Sequence, residues 1–308
     1  MITFTSTNQP NSFIKGMEQL ILNDHEEPHR PIPTGFDVVE IRDKSRKLET
    51  PVRMLTSLLK LSLNGGKVDK SVFQSASAND WNKMLKLADK SAVTGLVWDS
   101  LQNLEKVDAP ADVLLDAYAY VKDIEENYAK QEKVIASLSE KFNQHGFDMV
   151  QLKGVGLSMN YPVPQHRHGG DIDIFLIDRN NPNQQDTWSN SNKMLLKEGY
   201  ELEDYKRKTH KHSEFKHEGF NIENHNFFVN KNIITEAGKI DEYLHRVLNP
   251  RLQKLPDGTK ILTPSKEFNA VFLPQHAFQH FIFSGINFHH LTDWAVHLQR
   301  NGFTSLMN

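Results

Sequence analysis

The sequence predicts an α+β protein: a mixed sheet flanked by helices, preceded by an N-terminal helical subdomain and followed by C-terminal helices. Three observations carry this expectation. Apolar residues recur at spacings of three and four from about Pro51 to Phe142, the period of amphipathic helices. Short apolar or alternating runs bounded by Gly, Pro and Asn follow between Asp148 and Leu262, as strands require. Helical spacing then returns from about Ser265 to Arg300. The chain accordingly divides into residues 1–50, a flexible or loosely docked arm; 51–146, the helical subdomain; 147–262, the sheet-bearing core; and 263–308, the closing helices.

Residues 1–50 are polar, contain Pro10, Pro28, Pro31 and Pro33, and sustain no period. Met54, Leu55, Leu58 and Leu59 then share one helical face, and the helix ends near Asn64-Gly65-Gly66. Asp80 is the expected cap of a helix carrying Trp81, Met84 and Leu85. A long helix is predicted from Pro110 to His145, stopped by Gly146. Asp148 to Lys153 reads as a strand, Gly154 to Tyr161 as a helix broken by Pro162 and Pro164, and Gly170 to Ile177 as a second strand. Asn180 to Asn192 is Asn/Gln-rich and reads as a loop leading into a helix that ends at Lys197. Two strands flank Gly219, Lys211–Glu218 and Phe220–Val229; a helix covers Thr235–Leu248; and a turn at Pro250 and Pro256-Asp257-Gly258 precedes a short strand, Lys260–Leu262.

With 308 residues, 38% hydrophobic and 24% charged, the chain can bury a sizeable core in two subdomains. Its net charge of −3 argues against a protein that coats nucleic acid by bulk electrostatics and favours a small or neutral partner. No run approaches the roughly 18 apolar residues of a membrane span, and Met1 to Lys15 has no signal-peptide pattern. The expected location is the cytoplasm, with no membrane partner. Cysteine is absent, so disulfides, thiolate zinc sites and thiol nucleophiles are excluded together. Any metal must sit on oxygen or imidazole.

Chemistry concentrates between Gln151 and Ile177. On a strand of period two, Asp171 and Asp173 share one face while Ile172 and Ile174 point to the other. Two adjacent carboxylates repel, and a divalent cation is the natural compensation. Upstream, Lys153-Gly154-Val155-Gly156 can offer backbone N–H groups and a charge to a phosphate; the competing reading is a tight turn made for packing. A phosphate cradle followed by Asp-x-Asp on a neighbouring strand suits a nucleoside triphosphate with Mg2+ or Mn2+, which prefer hard oxygen ligands. On the later strand Glu223 and His225 face the same way, so a third acid is presented from the sheet.

Leu152-Lys153-Gly154, the Tyr161-Pro162 pair, Arg167, Gly170-Asp171-Ile172-Asp173 and Glu223-x-His225 together resemble the uncharacterised bacterial nucleotidyltransferase family of the polymerase-β-type superfamily. The resemblance runs from about residue 52 to the end and includes Trp81 and His290-Leu-Thr-Asp293-Trp294. It implies a nucleotidyltransferase-like fold and two-metal transfer of an NMP from an NTP, ATP among them, to a hydroxyl acceptor. Asp171, Asp173 and Glu223 are the implied catalytic metal ligands, and Lys153, Gly154, Arg167, Gly170 and His225 the implied nucleotide-site residues. Val155 departs from the superfamily, where serine or a second glycine commonly follows the first.

Several readings stay open from sequence. Arg167 either neutralises phosphate charge or forms a salt bridge to the aspartates. His225 either orients Glu223 or serves as a base. His276 and His280 have the spacing of a metal pair, against a plainer role lining the core or cleft. The acceptor, whether small molecule, sugar, protein or RNA, is not encoded in any spacing. Two other functions compete: a non-catalytic nucleotide- or partner-binding protein that retains the fold, and a metal hydrolase built on the histidines.

Overall fold

The computed structural model describes residues 48–302 apart from 65–67, 69, 105–108, 182, 207–208, 231–235 and 284. The arm expected at 1–50 lies almost wholly outside the described residues.

Helices α1 (Thr50–Asn64), α2 (Ser71–Gln74), α3 (Ala78–Lys90) and α4 (Thr94–Gln102) pack their apolar faces into one cluster around Met54, Leu58, Trp81, Met84 and Leu96. The N-cap of α3 is Ser77 rather than Asp80. Its Oγ accepts the Asp80 N–H, and the Asp80 carboxylate accepts the Ser77 N–H at 2.9 Å. Asp80 thus closes a capping box from the third helical position.

Helix α5 (Ala111–Gln144), roughly 50 Å long at 1.5 Å per residue, joins two cores. Val113 and Ala117 complete the helical cluster, while Tyr128, Ile135, Leu138 and Phe142 lie under the sheet. Gly146 takes the chain off the helix at φ 87°, a conformation that favours glycine.

Strand β1 (Phe147–Gln151), the one-turn helix α6 (Val155–Ser158), a 3₁₀ turn at Pro164–His166 and strand β2 (Ile172–Asp178) follow. The remaining elements are α7 (Thr187–Lys197), β3 (His212–His217), β4 (Phe220–His225), α8 (Ala237–Val247), β5 (Arg251–Lys254), β6 (Lys260–Thr263), α9 (Lys266–Phe283) and α10 (Phe288–Asn301). They form a six-stranded mixed sheet of order β3-β4-β2-β1-β6-β5. β2 runs antiparallel to β1 and parallel to β4; β1 runs parallel to β6.

Alternation along β2 sorts the faces. Ile172, Ile174 and Leu176 join α5 and α7 in one core, whereas Phe175 joins α8 and α9 in another. The fold is therefore α+β, with a mixed sheet between helices. Among the described residues no helix is long and apolar enough to cross a membrane.

Four local expectations shift. Helix α6 stops at Ser158, not Tyr161: Pro162 cannot continue it, and the Asn160 side chain donates to the Leu157 carbonyl instead. Helix α7 begins at Thr187, inside the stretch read as a loop. Gln184 folds the preceding turn by accepting from Asp178 N–H and donating to the Asp178 and Asn181 carbonyls. β4 ends at His225 rather than Val229, because the Phe228 and Val229 N–H groups turn to Asp241. Finally, β5 hides in what reads as a turn. Its four residues pair antiparallel with β6, and the prolines on either side mask so short a strand.

Candidate functional site

The parallel pairing of β2 with β4 sets Asp173 opposite Glu223 in register. These side chains leave the sheet on the side covered by α9 and α10. They open into a cleft of ≈ 340 Å³ lined also by Lys153, Gly154, Gly170 and Asp171.

Asp173 is buried, and one of its oxygens meets two partners. Its Oδ1 accepts from the Lys153 ammonium at 3.0 Å and faces His225 Nε2 at 3.1 Å. Burial works to raise its pKa, but the Lys153 charge and the His225 contact outweigh that and hold it well below the usual carboxylate range. Glu223 sits 3.4 Å from His225 Nε2 and 3.2 Å from His212 Nδ1. Burial raises it too, yet the His225 hydrogen bond leaves it lowered. Asp171 precedes β2, at the exposed mouth, and accepts from Asn221 Nδ2 at 3.3 Å. Its carboxyl is pushed up by partial burial and by the Glu223 charge, with Asp173 adding to both. The acidic edge is thus compensated at Asp173 and crowded at Asp171.

Cationic side chains line the same cleft. Lys153 projects from the end of β1, and Gly154 beside it has φ 64°. A Cβ there would meet the Gln151 side chain at 2.7 Å, so the position requires glycine twice over. The helix that Gly154 opens has a single turn, which leaves little macrodipole for a phosphate. Charge comes instead from lysine. Lys211, just before β3, lines the cleft without an ion pair among the described residues. Burial, and then the nearby Lys153, lower its pKa. Among the described residues a Cβ on Gly170 would meet nothing within 4 Å, whereas one on Gly169 would run into the Gln131 side chain. Gly170 is therefore the open glycine, held by Gln131 Nε2 donating to its carbonyl at 2.7 Å.

Arg167 binds neither Asp171 nor Asp173. Its guanidinium makes a two-pronged pair with Asp293 on α10, Nε–Oδ1 2.9 Å and Nη2–Oδ2 2.8 Å, and Nη2 also donates to His289 Nε2 at 3.2 Å. Tyr161 donates its hydroxyl to the same Asp293 at 2.6 Å. Of the two readings left open for Arg167, the salt bridge forms, but to Asp293 and not to Asp171 or Asp173. One edge of Arg167 still borders the cleft.

His276 and His280 line the same cleft as Asp171. His276 Nε2 lies 3.0 Å from the Lys153 ammonium and 3.0 Å from His280 Nε2. Burial and Lys153 hold His276 well below its ordinary value, and His290 is lowered to about 4 by burial and then by His280. Lys211 and His212 line the cleft although no spacing rule singles them out, whereas His290 lies in a segment that shares the resemblance. The concentration of Lys and His between 206 and 212 is the nearest signal.

A family model described as "Uncharacterised nucleotidyltransferase" matches residues 77–305. Among solved structures, an antigenic nucleotidyltransferase-like protein from Paracoccidioides brasiliensis is similar at 15% identity and a TM-score of 0.36, over 55% of this chain and 75% of that one. No curated protein matches. The family match spans well over half of the chain and includes every cleft residue described above, and the chain belongs to this nucleotidyltransferase family.

Proposed function

We propose that the protein is a Mg2+- or Mn2+-dependent nucleotidyltransferase that moves an NMP from an NTP to a hydroxyl acceptor. The observation that carries this reading is one cleft that gathers carboxylates and cations together. Asp171, Asp173 and Glu223 line it beside Lys153, Lys211 and the edge of Arg167. A triphosphate with its cation presents both signs of charge to such a lining.

The donor set fits a hard divalent ion: three carboxylates, with Asp171 raised by burial and by the Glu223 charge. When bound, such an ion would neutralise charge at the α-phosphate and make the acceptor hydroxyl more acidic. The protein's own residues do the rest. Lys153 and Lys211 hold triphosphate oxygens, and Gly154 and Gly170 let the phosphates approach the backbone. The Arg167–Asp293–Tyr161 clamp fixes the segment leading to Asp171. In the reaction the acceptor oxygen bonds to the α-phosphorus, the bond between that phosphorus and the bridging oxygen breaks, the hydroxyl proton passes to solvent and pyrophosphate leaves with the bridging oxygen. His225, against both Asp173 and Glu223, orients those carboxylates. The helical segment 51–146 buttresses the sheet through the C-terminal half of α5, and the cytoplasm is the compartment.

The test is incubation with each labelled NTP and Mg2+, measuring binding and pyrophosphate release. Asp171→Asn with Asp173→Asn should abolish release; a wild type that binds no NTP refutes the reading. One observation favours a second reading. Asp173 is already bonded by Lys153 and His225, which suits a protein that binds nucleotide without turnover. That reading predicts thermal stabilisation by NTP with no pyrophosphate release.

A further inference from the structure

The same cleft carries a cluster that nucleotidyl transfer does not use. His276 and His280 stand one turn apart on α9, and His290 reaches them from the first turn of α10. One nitrogen of each lies within 4.8 Å of the others. The His276 and His280 rings meet edge to face at 4.6 Å, and His280 stacks on His290 at 4.4 Å.

We infer that His276, His280 and His290 form a transition-metal site, separate from the carboxylate edge and selective for a borderline cation such as Zn2+. Three imidazoles with a fourth position open to the cleft match the donor set of an open zinc site. The spacing is close to what coordination needs. Ligands at ~2.0–2.1 Å in a tetrahedron lie about 3.3 Å apart, and His276 Nε2 and His280 Nε2 stand at 3.0 Å. The third ligand has to close from within 4.8 Å; His290 Nδ1 accepts the Asn287 N–H at 3.4 Å, which leaves Nε2 for the ion. All three residues are half-buried at the cleft wall, so an ion can enter. His276 Nδ1 is buried without a partner among the described residues, an unmet polar atom in a cluster otherwise in contact. An all-imidazole set disfavours Mg2+, which prefers oxygen, so the two sites would sort their metals by donor chemistry.

One cation competes. The Lys153 ammonium lies 3.0 Å from His276 Nε2. It also holds Asp173 at 3.0 Å, so it can release His276 and keep its carboxylate. The site stands on these histidines alone and does not depend on NTP chemistry.

The experiment titrates Co2+ into the full chain by visible absorption, with Zn2+ displacement and chelator competition, alongside Mg2+-dependent NTP binding. Wild type should take one Co2+ with the intense bands of low-coordinate imidazole ligation. His280→Gln and His280→Gln/His290→Gln should weaken Co2+ at least tenfold with unchanged circular dichroism. Lys153→Met should tighten it, because a competing charge is gone. Asp171→Asn should leave Co2+ binding intact whatever it does to NTP, which separates failure of this site from failure of the transferase reading. Bands that persist in the double variant would place cobalt elsewhere, at His212, Glu223 and His225 for instance, and overturn the inference. So would wild-type binding no tighter than that of the variant.

Discussion

Removing the Asp293 carboxylate should destabilise the protein far more than removing the whole ion pair. Arg167 and Asp293 side chains are each 5% exposed, and two hydrogen bonds of 2.9 and 2.8 Å join them. Burial opposes the charge on Asp293, but Arg167 and then His289 outweigh it, holding the carboxyl far below its ordinary range. Asp293→Ala leaves a guanidinium charged and unpaired in the interior, at a cost of about 3–5 kcal/mol. It also strips the acceptor from the buried Tyr161 hydroxyl, another ~1–3 kcal/mol. The two costs overlap at one site, so about 4 kcal/mol is expected, lowering Tm by roughly 10 °C. Arg167→Met with Asp293→Leu, made in a Tyr161→Phe background so that no buried hydroxyl loses its acceptor, removes both charges and should lie within about 1–2 kcal/mol of Tyr161→Phe alone. Urea unfolding of Arg167→Met, Asp293→Leu and the double variant in that background closes the cycle. A loss below about 1 kcal/mol in Asp293→Ala would refute the buried clamp. NTP binding by the double variant, where the fold is kept, then reports whether Arg167 touches phosphate: retained affinity makes it a positioning residue.

Two further outcomes follow from charges left uncompensated or newly compensated. Lys211→Met should raise the stability of the ligand-free protein by about 1 kcal/mol, since it removes a desolvated ammonium near Lys153, while weakening triphosphate binding at least tenfold. Thermal unfolding with and without NTP checks both signs, and a variant that loses stability and keeps binding contradicts the assignment. His166 bridges Asp99 at 2.6 Å and Glu125 at 3.1 Å. Burial alone would lower its pKa, but the Asp99 hydrogen bond and charge raise it. Its contribution is therefore complete below the ordinary histidine value of about 6.5 and is lost as pH rises through the raised folded value. Stability measured across that window should fall in wild type and stay flatter in His166→Asn; parallel curves would refute the bridge.

Local periodicity made the strands legible, and with them the sidedness of the site. Ile172 and Ile174 point into one core, so Asp173 must leave the sheet on the other face; Glu223 and His225 follow by the same alternation on β4. What sequence could not supply is register between segments far apart. The pairing of Asp173 with Glu223 depends on a parallel β2–β4 contact across the intervening α7 and β3, and nothing local fixes it. Arg167 illustrates the same limit. Its chemistry, a fork suited to two oxygens, was readable, but the choice of Asp293 over the nearer aspartates is made by α10 docking beside Tyr161. The one-turn length of α6 matters in the same way. With little helix dipole at Gly154, anion binding in this cleft falls to side-chain charge, and Lys211 lies outside the upstream motif. Lys153 must then serve two partners, Asp173 and His276. Any triphosphate that draws the ammonium away frees both the carboxylate and the imidazole for cations, so nucleotide and metal occupancy in this cleft should rise together.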